Sequence, residues 1–137
     1  GWVVWLDIRT GEVREIPVEL PGSRGRGSFG PDGSIWGGMR KLTRYNPTTN
    51  VVTQYDPPTP YFHAYSTKVD KNGEVWSGEQ SSGRVFRFNP ETNRWIEYVL
   101  PSIWSHDFNS WIDNSTSPVS YWYGDQYGYI VHVQPFE

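Results

Sequence analysis

The chain contains no cysteine among its 137 residues, so disulfide bonds and thiolate metal sites are excluded. No apolar run approaches the roughly 18 residues that a transmembrane helix needs, so we expect no membrane-spanning helix and no membrane partner. The 12 basic and 15 acidic side chains give a net charge of −3, without a dense basic run. Nucleic acid is therefore not an expected partner. Residues 1–5 show no basic stretch or cleavage site of a signal peptide, which leaves the compartment open.

Aromatic and turn-forming residues are abundant instead. The chain has 8 Trp, 9 Tyr and 6 Phe beside 14 Gly and 11 Pro. Aromatic residues favour strands, and Gly and Pro punctuate them with turns. This composition predicts an all-β protein.

A turn motif recurs three times along the chain. An apolar residue, Asp or Asn, two variable positions, Thr, and then Gly or Asn occupy residues 6–11, 45–50 and 88–93. The Asp or Asn positions are 39 and 43 residues apart. Asp or Asn opening a turn, and Gly or Asn where φ becomes positive, are typical of tight hairpins. The motif predicts a structural repeat of about 40 residues.

A tryptophan recurs in the same way, at Trp36, Trp76 and Trp122, with spacings of 40 and 46 residues. One full unit divides into strands at residues 65–69, 74–78, 84–89 and 95–100, and the Trp lies in the second strand. Four strands in about 40 residues predict a blade of a β-propeller. Because they occupy equivalent positions, we assign the three tryptophans to packing within the blades. His132 lies on a predicted strand beside Tyr129 and Val131, and we expect it to be structural.

The repeat predicts a partial propeller of four-stranded antiparallel blades. The expected units are a half blade at residues 1–20, blades at 21–58 and 59–101, and a three-stranded blade at 102–137. A propeller needs about four to eight blades, so the chain supplies about three of them. We expect the C-terminal part of a longer protein, with the missing blades on the same or another chain as partners. A short form that assembles with itself is the alternative.

Propeller connectivity sorts the loops into two faces. The connections from strand d to a and from strand b to c emerge on one face, and this face carries the unusual residues. A His beside a carboxylate could perform acid–base chemistry or bind a cation, whereas loop His and Glu residues are commonly solvated or cap a turn. The candidates in these loops are Arg24, Arg26, Met39, His63, Glu79, His106 and Asp125.

Three aromatic residues, Tyr61, Phe62 and Trp104, fall in the same loops and outside the packing positions. They could form an aromatic wall for a ring-bearing ligand, or cover the mouth of the channel. We list them with Arg24, Arg26, His106 and Asp125 as ligand-binding candidates.

The motifs DGSIW at 32–36 and NGEVWSGE at 72–79, with RFNP at 87–90 and YVLP at 98–101, resemble the virginiamycin B lyase (streptogramin lyase) propellers. The resemblance implies a seven-bladed ring that opens a cyclic depsipeptide lactone by elimination, assisted by magnesium. It implies that His63 is the catalytic residue and that Glu79 binds the metal. The family has a second glutamate two residues before the histidine, where this chain has Tyr61.

Loss of a carboxylate weakens a site for a hard divalent cation. We therefore favour a non-catalytic propeller that binds a small ligand or a partner, with a magnesium-dependent carbon–oxygen lyase as the alternative. The motifs at 111–116 and 128–135 resemble the propeller ends of large secreted bacterial proteins. That second resemblance implies a periplasmic or extracellular location.

Overall fold

The computed structural model describes residues 2–17 and 26–136, and it is all-β, as the sequence predicts. Within these residues no helix forms, and hence none that is long and apolar enough to cross a membrane. The strands are β1 (Trp2–Leu6), β2 (Val13–Pro17), β3 (Ser28–Phe29), β4 (Ile35–Gly38), β5 (Leu42–Asn46), β6 (Val51–Tyr55), β7 (Ala64–Val69), β8 (Val75–Glu79), β9 (Arg84–Asn89), β10 (Arg94–Val99), β11 (Asp107–Asp113), β12 (Ser120–Asp125) and β13 (Ile130–Val133).

These strands form four antiparallel sheets, in which each strand pairs with the next one along the chain. The sheets are β1–β2, β3–β6, β7–β10 and β11–β13. Each four-stranded sheet is one blade, and the sheets do not close into a ring. The predicted partial propeller is thus confirmed.

The repeated turn motif closes three hairpins by the same hydrogen bonds. The side chain of Asp7 accepts from the backbone N–H groups two and three residues later, and those of Asn46 and Asn89 do the same. A positive φ, which Gly and Asn tolerate best, occurs at the last position of each motif. These residues are Gly11 (75°), Asn50 (56°) and Asn93 (54°).

The repeated tryptophans anchor the blades. Trp36 and Trp76 are 2% and 0% exposed, as the repeat predicts. The indole of Trp36 donates to Ser34 Oγ, and that of Trp76 donates to Asp70 Oδ2, both at 2.9 Å. A buried Trp needs a hydrogen-bond acceptor for its N–H. Ser34 before β4 and Asp70 before β8 supply these acceptors.

The apolar core lies between neighbouring blades. One cluster joins Trp36 and Leu42 to Val75 and Phe88 of the next blade. A second cluster joins Trp76 and Val85 to residues in or next to the last sheet, which are Val119, Tyr121, Tyr123 and Val133. Burying one such side chain contributes about 1.5–3 kcal/mol, so each blade stabilises the next.

Some apolar side chains on the outermost sheets are not covered in this way. Val4, Leu6 and Ile8 in and after β1 are 62%, 54% and 90% exposed, and Ile130 in β13 is 78% exposed. Open sheets with apolar residues at both ends are compatible with a need for further blades.

Candidate functional site

The predicted pair His63 and Glu79 meets at the start of the inner strand β7. Ala64 pairs with Glu79 in the β7–β8 ladder, so the loop residue before Ala64 reaches the end of β8. The backbone N–H of His63 donates to Glu79 Oε1 at 3.2 Å, and the N–H of Gln80 donates to the carbonyl of His63 at 2.9 Å. The loop that carries His63 is therefore held to β8 by two hydrogen bonds.

The carboxylate of Glu79 lies inside the blade, with 1% of the residue exposed. Its second oxygen, Oε2, is 3.2 Å from Arg84 Nε. Burial raises the pKa of Glu79, and the charge of Arg84 and the His63 amide oppose that rise. One oxygen thus accepts from a backbone amide and the other lies beside the charge of Arg84, and the contact with His63 is made by the backbone and not by the imidazole.

The next blade repeats this arrangement with His106 and Asp125. The N–H of His106 donates to Asp125 Oδ2 at 2.6 Å, and the N–H of Tyr127 donates to Oδ1 at 2.7 Å. Burial acts to raise the pKa of Asp125, but these amides and the hydroxyl of Ser105 outweigh it, and the pKa lies below its usual value. In both blades the carboxylate at the end of the second strand fixes the loop that enters the first strand.

A hollow of about 490 Å³ opens beside His63, lined by Arg40, Tyr61, Phe62, His63 and Ser81. Tyr61 is 96% exposed and has a φ of 64°, which bulky residues rarely adopt. Phe62 is only 4% exposed, because its ring packs inside the blade. The side chains that face solvent at this hollow are consequently a phenol, a guanidinium, an imidazole and the hydroxyl of Ser81.

The imidazole of His63 is half-buried. Burial, followed by the electrostatic effects of Arg40 and His106, lowers the pKa of His63 below its usual value of 6.5. The ring is therefore neutral at pH 7 and able to accept a proton or a hydrogen bond.

Magnesium does not fit the residues present here. A hard divalent cation binds carboxylate and carbonyl oxygens, usually several at once. The only carboxylate next to His63 in the described residues is Glu79, which is buried and paired with Arg84. Tyr61 supplies no charge, and the parts of the chain that the structure describes hold no group of three His, Asp or Glu suited to a metal ion.

The remaining predicted residues are dispersed. Trp104 is 74% exposed and lies before β11, whereas Arg26 lies beside β7. Arg24 is outside the described residues. The ligand-binding roles assigned to all of them stay predictions.

Sequence reasoning missed a buried network around Asp107, which is 0% exposed. Asp107 Oδ2 accepts from the hydroxyl of Tyr121 at 2.6 Å and from the N–H of Gly78 at 3.1 Å. Burial raises its pKa to about 6, although both hydrogen bonds favour the charged form. Gly78 belongs to the preceding blade, so Asp107 joins two blades. No sequence motif marks this residue, since it follows His106 in what reads as a polar loop.

The fold is similar to that of solved virginiamycin B and streptogramin B lyases. Virginiamycin B lyase from Staphylococcus aureus is 19% identical over 98% of this chain and 48% of that one, with a TM-score of 0.74. A catalytically inactive variant of that lyase with quinupristin is 18% identical over the same shares, with a TM-score of 0.75. This chain thus spans about half the length of these lyases.

A sensor protein has a similar fold. The extracellular domain of a hybrid two-component system from B. thetaiotaomicron is 17% identical over 98% of this chain and 18% of that chain, with a TM-score of 0.74. No protein-family model matches the chain, and no curated protein matches it. At these identities the likeness shows the propeller fold alone, since one fold serves many activities.

Proposed function

We propose that the chain is a non-catalytic propeller segment that binds a small-molecule ligand at the hollow beside His63. The observation that carries the proposal is the engagement of Glu79 by the His63 amide and Arg84. Elimination next to a carbonyl needs a positive group that stabilises the developing negative charge. The carboxylate of Glu79 is 1% exposed and paired with Arg84, so it is not available to hold a metal ion for that task.

The lining of the hollow supports ligand binding. Ligand sites are concave and combine aromatic surface with a few polar groups that fix orientation. The ring of Tyr61 offers exposed aromatic surface, Arg40 offers a cation, and the neutral His63 offers a hydrogen-bond acceptor. These groups recognise a ligand without breaking its bonds.

The test compares binding with cleavage, using quinupristin as the probe. The protein is titrated with quinupristin with and without MgCl₂, and the mixture is analysed by chromatography and mass spectrometry for the opened ring. We expect no ring opening and no effect of magnesium on the melting temperature. Magnesium-dependent ring opening that disappears in His63→Ala would overturn the proposal.

A screen of small molecules by thermal shift tests the site itself. A ligand of the hollow should stabilise the wild type and Tyr129→Ala but not Tyr61→Ala. Tyr129 is the matched control because it is also exposed, at 72%, and lies on another blade. Equal stabilisation of all three proteins would place the ligand elsewhere.

Lyase activity is the second candidate, and one observation favours it. The lowered pKa of His63 keeps the imidazole neutral at pH 7, as a general base must be. This activity would need a substitute for the metal, and Arg40 is the nearest described cation in the hollow. The quinupristin experiment above decides between the two functions.

We further propose that additional blades, from the same or another chain, cover the exposed apolar residues of the outermost sheets. Sedimentation of the isolated chain should show association. A stable monomer at micromolar concentration would contradict this part of the proposal.

A further inference from the structure

Arg26 lies at a fixed position beside the inner strand β7. Its backbone N–H donates to the carbonyl of Tyr65 at 2.6 Å, and its carbonyl accepts from the N–H of Thr67 at 2.9 Å. The two hydrogen bonds form a parallel bridge across Ser66. The backbone of Arg26 is thereby held next to the strand that follows His63.

The side chain of Arg26 is held as well. Its guanidinium lies 5.9 Å from the ring centroid of Tyr65 and 5.7 Å from that of Phe108, distances typical of cation–π contacts. Its Nη1 donates to Asn109 Oδ1 at 3.0 Å. The side chain therefore has little conformational entropy left to lose when it binds something else.

The two rings project together because of a repeated irregularity. The β7–β8 ladder shifts register between Ala64 and Ser66, and the β11–β12 ladder shifts between Asp107 and Asn109. Such bulges change the direction of the extra side chain. Here they let Tyr65 and Phe108 stack, with a distance of 5.9 Å between the ring centroids and an interplanar angle of 18°. Phe108 remains 50% exposed, so part of its face is open to a ligand.

Arg26 has no carboxylate partner in the described residues. The nearby carboxylate of Asp107 is 0% exposed and is engaged by Tyr121 and Gly78. Other arginines, such as Arg84, have ion pairs. A guanidinium has five N–H donors, and in Arg26 only the one on Asn109 has an acceptor among the described side chains.

We propose that Arg26, with the rings of Tyr65 and Phe108, binds the carboxylate of a small aromatic acid. A fixed guanidinium matches a planar carboxylate with two parallel hydrogen bonds, and the exposed face of Phe108 stacks on the ring of the ligand. This site shares no residue with the lining of the hollow beside His63, so the inference goes beyond the proposed function and names a second place for a ligand.

The experiment uses benzoate as the probe, with benzamide as its neutral counterpart and inorganic phosphate as a non-planar anion. Binding is measured by calorimetry on the wild type, Arg26→Gln, Arg26→Lys and the control Arg9→Gln, whose side chain is 88% exposed on a distant turn. We expect benzoate to bind, Arg26→Gln to weaken it about 10- to 100-fold, and Arg9→Gln to leave it unchanged. Arg26→Lys should restore only part of the affinity, because an ammonium lacks the fork.

Several results would overturn the inference. They are no benzoate binding by the wild type, equal binding by Arg26→Gln, equal binding of benzamide, or tighter binding of phosphate than of benzoate. The benzamide comparison needs no variant, so it holds even if Arg26→Gln fails to fold. A neutral ligand that depends on Tyr61 would keep the proposed function while the inference fails, and no ligand at either place would end both.

Discussion

Asp107 makes the stability of the protein depend on pH in an unusual direction. Burial raises the pKa of this carboxyl from 3.8 to about 6 in the folded protein. Between these values the folded chain holds a proton that the unfolded chain has lost, so the free energy of unfolding falls as pH rises. A shift of about two pKa units, at about 1.4 kcal/mol each, gives a loss of ~3 kcal/mol between pH 3.5 and 7.

Asp107→Asn removes this titration while it keeps an oxygen for Tyr121 and Gly78. Urea unfolding at a series of pH values, followed by tryptophan fluorescence, gives the free energy for the variant and the wild type. The difference in the free energy of unfolding between the two proteins should change by ~3 kcal/mol between about pH 3.5 and 7, and the wild type should gain relative stability at low pH. Other titrating groups cancel in this difference.

Asp113→Asn, on the same strand, is the control. Hydrogen bonds from Ser115 lower the pKa of the Asp113 carboxyl, so its small contribution has the opposite sign and is lost as pH falls. A wild type that gains stability over Asp107→Asn as pH rises from 4 to 7 would refute the reasoning, because it would mean that the buried carboxyl is stabilised in its charged form.

Three further predictions concern Gly78, Phe62 and Glu79, and the first two have a matched control variant. Gly78→Ala places a Cβ 2.5 Å from the buried aspartate and should cost about 1–3 kcal/mol in thermal unfolding, whereas Gly124→Ala at the equivalent position meets nothing within 4 Å and should cost far less. Phe62→Ala should destabilise the chain by about 3–5 kcal/mol in urea, and its exposed neighbour Tyr61→Ala by no more than about 0.5 kcal/mol. Glu79→Gln should lower stability without changing the response of the melting temperature to MgCl₂, and a magnesium-dependent shift present only in the wild type would contradict our assignment of this carboxylate.

The repeat allowed the blades to be predicted from the sequence, because each strand carries local signals. The Asn–Pro turns, the Asp–Gly turns and the Trp at a fixed interval are short-range patterns, and they placed Trp36 and Trp76 correctly in the core. Blade connectivity likewise predicts that the loops of His63 and Glu79 lie on one face, and in the structure the backbone amide of His63 contacts Glu79.

Details that depend on contacts between blades were not predictable in this way. The sequence pattern assigns Phe62 to an aromatic wall or to a cover of the channel mouth, but its ring is buried against Phe86 and Trp95. The sequence pattern predicts the first strand of the last sheet over residues 110–113, whereas β11 begins at Asp107 and contains a bulge between Asp107 and Asn109. Bulges and buried carboxyls are decided by partners far away in the chain, and no local pattern encodes them.

The stack of rings across two blades gives the protein an optical signature. Trp76 stacks with Tyr98 at a centroid distance of 5.7 Å and an interplanar angle of 5°, and with Tyr121 of the next blade at 5.9 Å and 9°. Cofacial rings held at fixed angles couple their electronic transitions, which produces strong circular dichroism in the near ultraviolet. The signal depends on the seating of one sheet against the next and not on the strands themselves. It would therefore report the docking of neighbouring blades separately from the folding of each blade.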